Sequence, residues 1–196
     1  MRKSDVTTER RQSLIDAAIL TIGEQGSLDV TVREIANRAG MSTALAFHYF
    51  GGKDGIIIET MRHLLREFAQ EVRTGLSFAE TPRGRLEAVI RASFSPSQFE
   101  KTTIAAWLVF YLHAYSSAPA ARLLQVYTRR LKSNLVDALC ALMERERALL
   151  VAEGLAAMID GSYVRHALRP QGPDAGEAIA SCLDYLETHI PRGETR

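Results

Sequence analysis

Two cysteines in 196 residues, Cys140 and Cys182, are too few for a disulfide scaffold. Each lies in an apolar helical pattern without a second thiol or a histidine at metal-binding spacing, so buried, reduced thiols are expected. Charge of one sign is also lacking. The chain has 24 Lys and Arg against 23 Asp and Glu, a formal net charge of +1, which favours neither a nucleic-acid tail nor a membrane surface. No apolar run approaches the roughly 20 residues that span a bilayer. The N-terminus, MRKSDVTTERRQ, has basic residues but no apolar stretch behind them, so a cytoplasmic protein is expected. Strand-period segments of useful length and internal repeats are missing, and so are the usual catalytic signatures. There is no Glu-x-x-His pair of a di-metal carboxylate bundle, no His-Glu-x-x-His, no Gly-rich phosphate loop and no nucleophile elbow. The expectation is therefore a non-enzyme without metal or cofactor.

What is present is helical periodicity. Leu14, Ile15, Ala18, Ile19 and Ile22 recur at helical spacing from about Thr8 to Gln25, and Gly26 stops the run. The stretch Thr31 to Lys53 then reads as a helix-turn-helix. Thr31 caps a short helix with Glu34 three residues on, the spacing of a capping box. Gly40 supplies positive φ at the turn, Ser42 caps a second helix over Thr43–Phe50, and Gly51 and Gly52 end it. Residues 1–60 hold seven basic and eight acidic residues, so bulk charge gives no support for DNA binding. The support is local: no acid lies between Glu34 and Asp54, while Arg38, His48 and Lys53 do, with Arg33 just before and Arg2, Lys3, Arg10 and Arg11 at the N-terminus. An ordinary helical hairpin with solvated charges is the alternative, and a helical sensor or adaptor without DNA function is a third.

From Asp54 a long helix carries the stripe Ile57, Met61, Leu64, Leu65, Phe68 and Val72. Its start completes the core of the reader and its far end enters the next domain, which makes it a lever. Thr81-Pro82 and Ser95-Pro96 are paired start signals for two more helices. The apolar run Ile104 to Tyr115 comes next, then a segment after Pro119 with Leu124, Tyr127, Leu131, Leu135, Leu139 and Leu142 at spacings of three and four. Val151 to Leu168 is apolar on most sides, with Gly154, Ala157 and Gly161 allowing close approach of a partner. After Pro170, Gly172 and Pro173 a last helix runs from Ala178 to Ile190. The fold class expected is all-α, with a helix-turn-helix domain over 1–53, its core extending into the helix from 54, and a larger helical effector-binding and dimerisation domain over 54–196.

The ordered set Thr31, Arg33, Ile35, Ala36, Ala39, Gly40, Ser42, Phe47, Tyr49, Phe50, Lys53 and Ile56 resembles the signature of the TetR family of one-component transcriptional regulators, without gaps. The resemblance implies that Thr43, Ala44, Leu45 and His48 face base edges of double-stranded operator DNA. It also implies that Tyr49 and Lys53 contact phosphate, and that Thr31 and Arg33 form the backbone-facing start of the preceding helix. Ala46-Phe47 departs from the commoner Leu-Tyr pair and removes a phenol that often binds phosphate. Further stretches, RRQSLIDA, HYFGGKDGII, AAWLVFYLHAY, RRLKSNL and LAAMIDGSYVRHAL, are similar to the choline-responsive repressors of glycine betaine synthesis genes. That similarity implies a homodimer that represses choline-oxidation and uptake genes and is modulated by choline. The expected dimer seam is the Leu124–Leu142 helix with the Val151–Leu168 helix, joined as a four-helix bundle.

A quaternary ammonium has no N–H to donate, so its site needs aromatic faces and a nearby carboxylate. The candidates are Trp107, Phe110, Tyr111 and Tyr115 in one run, Tyr127 and Tyr163 in later helices, and Asp160 in an otherwise uncharged stretch. The alternative is that these aromatics are core and that Asp160 pairs with an arginine or caps a neighbour.

Overall fold

The protein is described by a computed structural model over residues 3–190, with side chains from Val6 onward. Among the described residues there are nine helices and no strands: α1 Lys3–Gln25, α2 Val32–Arg38, α3 Thr43–Phe50, α4 Lys53–Ser77, α5 Pro82–Ser93, α6 Lys101–Ser116, α7 Ala118–Cys140, α8 Arg145–Ala167 and α9 Ala175–His189. They pack as two compact units. One comprises the chain up to Arg66 with Lys101–Leu124, and the other Glu67–Glu100 with the chain from Gln125. The expected division after residue 53 is one of function, whereas these units follow packing, and both α4 and α7 contribute to each.

In the first unit α1 offers Leu14, Ala18 and Ile22 to the interior, α2 gives Ile35 and Ala36, α3 gives Ala46, α4 gives Ile56, Ile57 and Met61, and α6 gives Ile104, Trp107 and Phe110. In α1, α4 and α6 the spacing of three and four between these residues gives each helix one buried stripe. Two backbone approaches are too close for a side chain. A Cβ at Gly23 would lie 2.1 Å from the Thr102 carbonyl oxygen, so glycine lets α1 press on α6, and one at Gly55 would lie 1.9 Å from the Phe50 carbonyl oxygen.

In the second unit the core is formed by Leu86, Val89 and Ile90 of α5, Leu131, Leu135 and Leu139 of α7, Leu155 and Ile159 of α8, and Ala178, Cys182 and Leu186 of α9. Gly154 receives the Tyr185 ring of α9, because a Cβ there would meet the phenol oxygen at 2.1 Å; Gly161 faces open space. Two sequence expectations fail. Ser95-Pro96 starts no helix: the chain makes one turn in which Gln98 and Phe99 N–H groups donate to the Ser95 carbonyl, at 3.0 and 2.8 Å, and α6 begins only at Lys101. The Ser95 hydroxyl donates to the Glu71 carboxylate, and the turn puts the Phe94 and Phe99 rings edge to face at 4.9 Å. Cys140 is exposed at the end of α7, whereas Cys182 is buried, its thiol pushed up to about 11 by burial.

Candidate DNA-reading surface and effector cluster

The local chemistry of the helix-turn-helix is fully formed. The Glu34 N–H donates to the Thr31 hydroxyl at 3.1 Å and the Thr31 N–H donates to the Glu34 carboxylate at 2.6 Å, a reciprocal cap. The Thr31 N–H, followed by its hydroxyl, holds the Glu34 carboxyl below the usual range. Gly40 has φ +66° in the turn, and the Ser42 hydroxyl accepts the Leu45 N–H at 3.2 Å. Gly51, at φ +74°, closes α3.

These caps decide what each expected DNA-facing residue has to offer. Thr31 and Ser42 have their hydroxyl acceptors engaged in capping, and the Thr31 hydroxyl also donates to Glu34 at 2.8 Å. Arg33, Ala44 and His48 are exposed, and Thr43, Leu45, Tyr49 and Lys53 are half-buried. Tyr49 packs between His48, with ring centroids 5.6 Å apart, and Phe50, at 6.4 Å. Thr31, Arg33, Thr43 and Lys53 line one shallow groove of about 440 Å³, together with Phe47. Sequence reasoning treated Phe47 only as a lost phenol, yet its side chain is 49% exposed on this surface. The wider basic footprint shrinks. Arg38 pairs with Glu24, and Arg11 pairs with Glu59 at 2.6 Å and stands over the Phe50 ring at 5.3 Å, so both serve the unit's own packing. Arg2 and the Lys3 side chain lie outside the described residues.

The expected cage residues divide between the units. Trp107, Phe110 and Tyr111 belong to the first, where Trp107 and Phe110 are buried and the Trp107 ring lies 6.5 Å from Phe110 and 6.3 Å from Tyr111. Tyr115 is 94% exposed at the end of α6, so it lines no interior there. Tyr127, Asp160 and Tyr163 belong to the second unit and act on one another. Burial first, then Tyr127, Asp160 and Glu71, push the Tyr163 phenol well above its ordinary value of 10. Two carboxylates and a second phenol thus bear on the buried Tyr163, and Phe68 packs edge to face on Tyr127 at 5.2 Å. The Tyr163 hydroxyl donates to the Ser93 carbonyl at 2.5 Å, and its ring packs 5.1 Å from Phe99 and 6.2 Å from Phe94.

Phe68 was visible in the sequence as core, and Glu71 was not singled out at all. The available signal was its place three residues on from Phe68, on the face of α4 that is otherwise apolar. Glu71 accepts from the Ser95 hydroxyl and from Ser97 at 2.5 Å, and it also lines an open groove of about 590 Å³ between α4 and α5, with Phe78, Glu87 and Arg91. Nearby, His166 is buried against Phe99 at 5.2 Å, and its Nδ1 accepts the Asp174 N–H at 3.0 Å, joining α8 to the start of α9.

Known families match both parts of the chain. Residues 14–60 match the model of bacterial regulatory proteins of the tetR family, and residues 82–191 match that of the BetI-type transcriptional repressor C-terminal domain. The chain is 56% identical over 190 residues to the HTH-type transcriptional regulator BetI of Brucella anthropi, covering 97% of this chain and 98% of that one. The BetI of Agrobacterium fabrum is 44% identical, with 97% and 92% covered. Among solved structures, a transcriptional regulator of Saccharomonospora viridis in complex with choline shares the fold with a TM-score of 0.79 at 18% identity, covering 93% of this chain and 98% of that one. One from Pseudomonas aeruginosa PAO1 gives 0.78 at 26% identity, with 92% and 90% covered. These relatives are transcriptional regulators rather than enzymes, regulators of this family bind operator DNA and dimerise, and no described helix is long and apolar enough to cross a membrane. The chain belongs to the TetR family of DNA-binding transcriptional repressors and carries a BetI-type C-terminal domain.

Proposed function

We propose that choline is the effector of this repressor, and that the genes under its control are those for choline uptake and oxidation to glycine betaine. The observation that carries the reading is the edge-to-face contact of Phe68 with Tyr127 in the second unit, where Tyr127, Asp160 and Glu71 all act on the buried Tyr163 phenol. A trimethylammonium group gains about 0.5–2 kcal/mol per well-placed ring, and a region with two carboxylates favours a cation over a neutral isostere. The naming of the relatives and the choline held by the Saccharomonospora viridis regulator support the same ligand. We assign the cation to Tyr127, Asp160 and Glu71, and read the Trp107, Phe110 and Tyr111 group as core of the first unit. Titration calorimetry with choline, with 3,3-dimethylbutanol as neutral isostere, tests this. Choline is expected to give the larger affinity, and Asp160→Asn or Tyr127→Ala to reduce it about tenfold. Binding of the isostere without choline would mean an apolar ligand and a different regulon.

The DNA-facing assignment follows the family pattern: Thr43, Ala44, Leu45 and His48 at base edges, and Arg33, Tyr49 and Lys53 at phosphates. Lys53→Ala is expected to weaken binding to all sequences alike and lower the slope of log K against log salt by about one. Thr43 or His48 substitutions are expected to change which sequences are bound. Gel shifts with DNA flanking the protein's own gene read both.

For the dimer, α8 directs Leu150, Val164 and Leu168 outward, and Gly161 beside them opens on empty space. The outward residues of α7 are mostly polar, Gln125, Thr128, Arg129 and Arg130 among them, with Val126 the one exposed large apolar side chain. We therefore assign the seam to α8 with α9 beside it rather than to α7. Native mass spectrometry is expected to show a dimer that Val164→Glu converts to monomer.

A further inference from the structure

The recognition helix is unusual in what it cannot do. Side chains that read a base through paired hydrogen bonds are Arg or Lys on guanine, Asn or Gln on adenine, and Asp or Glu on cytosine. None of the six occurs in Thr43–Phe50. Its outward stripe, read from burial alone, is Ala44, Phe47 and His48, flanked by half-buried Thr43 and Leu45, with Ala46 fully buried behind. The Ser42 hydroxyl accepts the Leu45 N–H as the cap, which leaves its O–H to donate. Polar readout is thus limited to the Ser42 and Thr43 hydroxyls and the His48 ring, and the outward surface is otherwise largely hydrocarbon. Phe47 is the largest part of it, and it shares a groove with Thr43 and with Lys53.

An aromatic ring half in water, on the surface a protein presents to DNA, is stabilised by apolar atoms of the partner. The floor of the major groove offers one such group, the C5 methyl of thymine. We propose that Phe47, with Ala44 and Leu45, reads thymine methyl groups, so that the operator half-site is specified by the positions of its thymines. The departure of Phe47 from the family's tyrosine is then a gain of base readout at the expense of a phosphate contact. This inference rests on the assignment of α3 to the major groove.

The test uses a duplex that the full-length protein selects from random-sequence DNA. Each thymine is replaced in turn by deoxyuridine, which removes the methyl and keeps every hydrogen-bonding group. Affinity is read by fluorescence anisotropy at fixed salt. In the wild type, one or two positions per half-site are expected to lose about fourfold each, the worth of one buried methyl, while deoxyuridine in the spacer changes nothing. Phe47→Ser is expected to abolish the loss at one or more of those positions and Phe47→Tyr to keep it. Because Phe47 is at the surface, both variants are expected to melt with the wild type. Equal affinity for thymine and deoxyuridine duplexes overturns the proposal. So does a Phe47→Ser variant that weakens all sequences alike with the methyl losses intact, since the ring would then lie on deoxyribose. Failure of the major-groove assignment is distinguishable: Thr43 and His48 variants would keep the wild-type sequence preference, and Lys53→Ala the wild-type salt slope, which removes the basis of the proposal as well.

Discussion

The reading surface and the acidic, aromatic interior of the second unit are built in opposite ways. Thr31 to Lys53 is one uninterrupted run, and each of its features is fixed by a partner at most five residues away: Thr31 with Glu34, Ser42 with Leu45, Phe47 with Gly51. The interior draws Phe68 and Glu71 from α4, Ser93 to Phe99 from the end of α5 and the turn after it, Tyr127 from α7, and Asp160 to His166 from α8. Local hydrogen bonds set the caps and the turn of the first, and the packing behind Ile35, Ala36 and Ala46 holds it in place. The second exists only when four segments pack. A surface that must match the fixed geometry of B-DNA gains from the first construction, and a region that must respond to a ligand gains from the second, because a ligand can shift how segments pack more readily than it can undo a cap.

The largest expected effect breaks the reader where α3 passes into α4. Gly55→Ala puts a Cβ 1.9 Å from the Phe50 carbonyl oxygen, so α3 and α4 must separate. A cost of roughly 2–4 kcal/mol is expected, seen as a melting temperature lower by about 5–15 °C, together with loss of specific DNA binding. If α3 keeps its place, the caps alone define the surface and the contrast is even sharper than drawn.

Next in size is Tyr163→Phe. It leaves the Ser93 carbonyl, now bonded at 2.5 Å, without its donor in a buried setting. A loss of about 1–3 kcal/mol is expected in chemical denaturation. Choline affinity is expected to stay within about twofold, because a phenyl ring retains its face. A large fall in affinity at unchanged stability would move Tyr163 from scaffold to ligand wall.

Thr31→Ala removes one half of the capping box and is expected to cost about 1 kcal/mol. The Glu34 carboxyl is held below its ordinary value of 4.5 by Thr31, so the stability it contributes is present above that value and is lost as pH falls through its lowered folded value. The variant keeps the residue-31 N–H, the larger cause, and loses the hydroxyl, so it should be only slightly flatter than the wild type across that acid range in a pH series of thermal melts.

The same contrast explains what could be read from the chain. The caps at Thr31, Ser42 and Thr81, the stop at Gly51 and the extent of α3 follow from neighbours in sequence, and the structure has each in place. Ser95-Pro96 has the same local signal as Thr81-Pro82, yet it yields a single turn, and its hydroxyl donates to Glu71, 24 positions earlier. No local rule contains that distant partner. Trp107 and Asp160 were paired by chemistry, and the fold assigns them to different units because α6 packs on α1, where Gly23 admits it. Cys140 was read as core from the spacing of Leu135, Leu139 and Leu142, but it lies on the far side of that stripe.

The smallest effect sharpens the comparison by pH. His166 is neutral by construction: its Nδ1 accepts the Asp174 N–H, and an Arg169 guanidinium nitrogen lies 3.3 Å from the same atom. A proton on Nδ1 would face two donors and no acceptor. Burial first, and Arg169 second, lower the pKa below 6.5, with Arg165 acting the same way and Glu177 and Asp174 opposing. The unfolded chain therefore binds a proton that the folded one refuses, so this contribution is fully present above pH 6.5 and is lost as pH falls toward the lowered folded value. In the reader the shifted group is the Glu34 carboxyl, which titrates below this range. Between pH 7 and 5.5 the wild type is expected to lose stability slightly while His166→Gln, whose side-chain oxygen can accept the Asp174 N–H, does not. NMR of the imidazole should show a titration midpoint below 6.5. A midpoint above it would mean that the carboxylates of Glu177 and Asp174 outweigh burial, and that the joint between α8 and α9 tightens in acid instead of loosening.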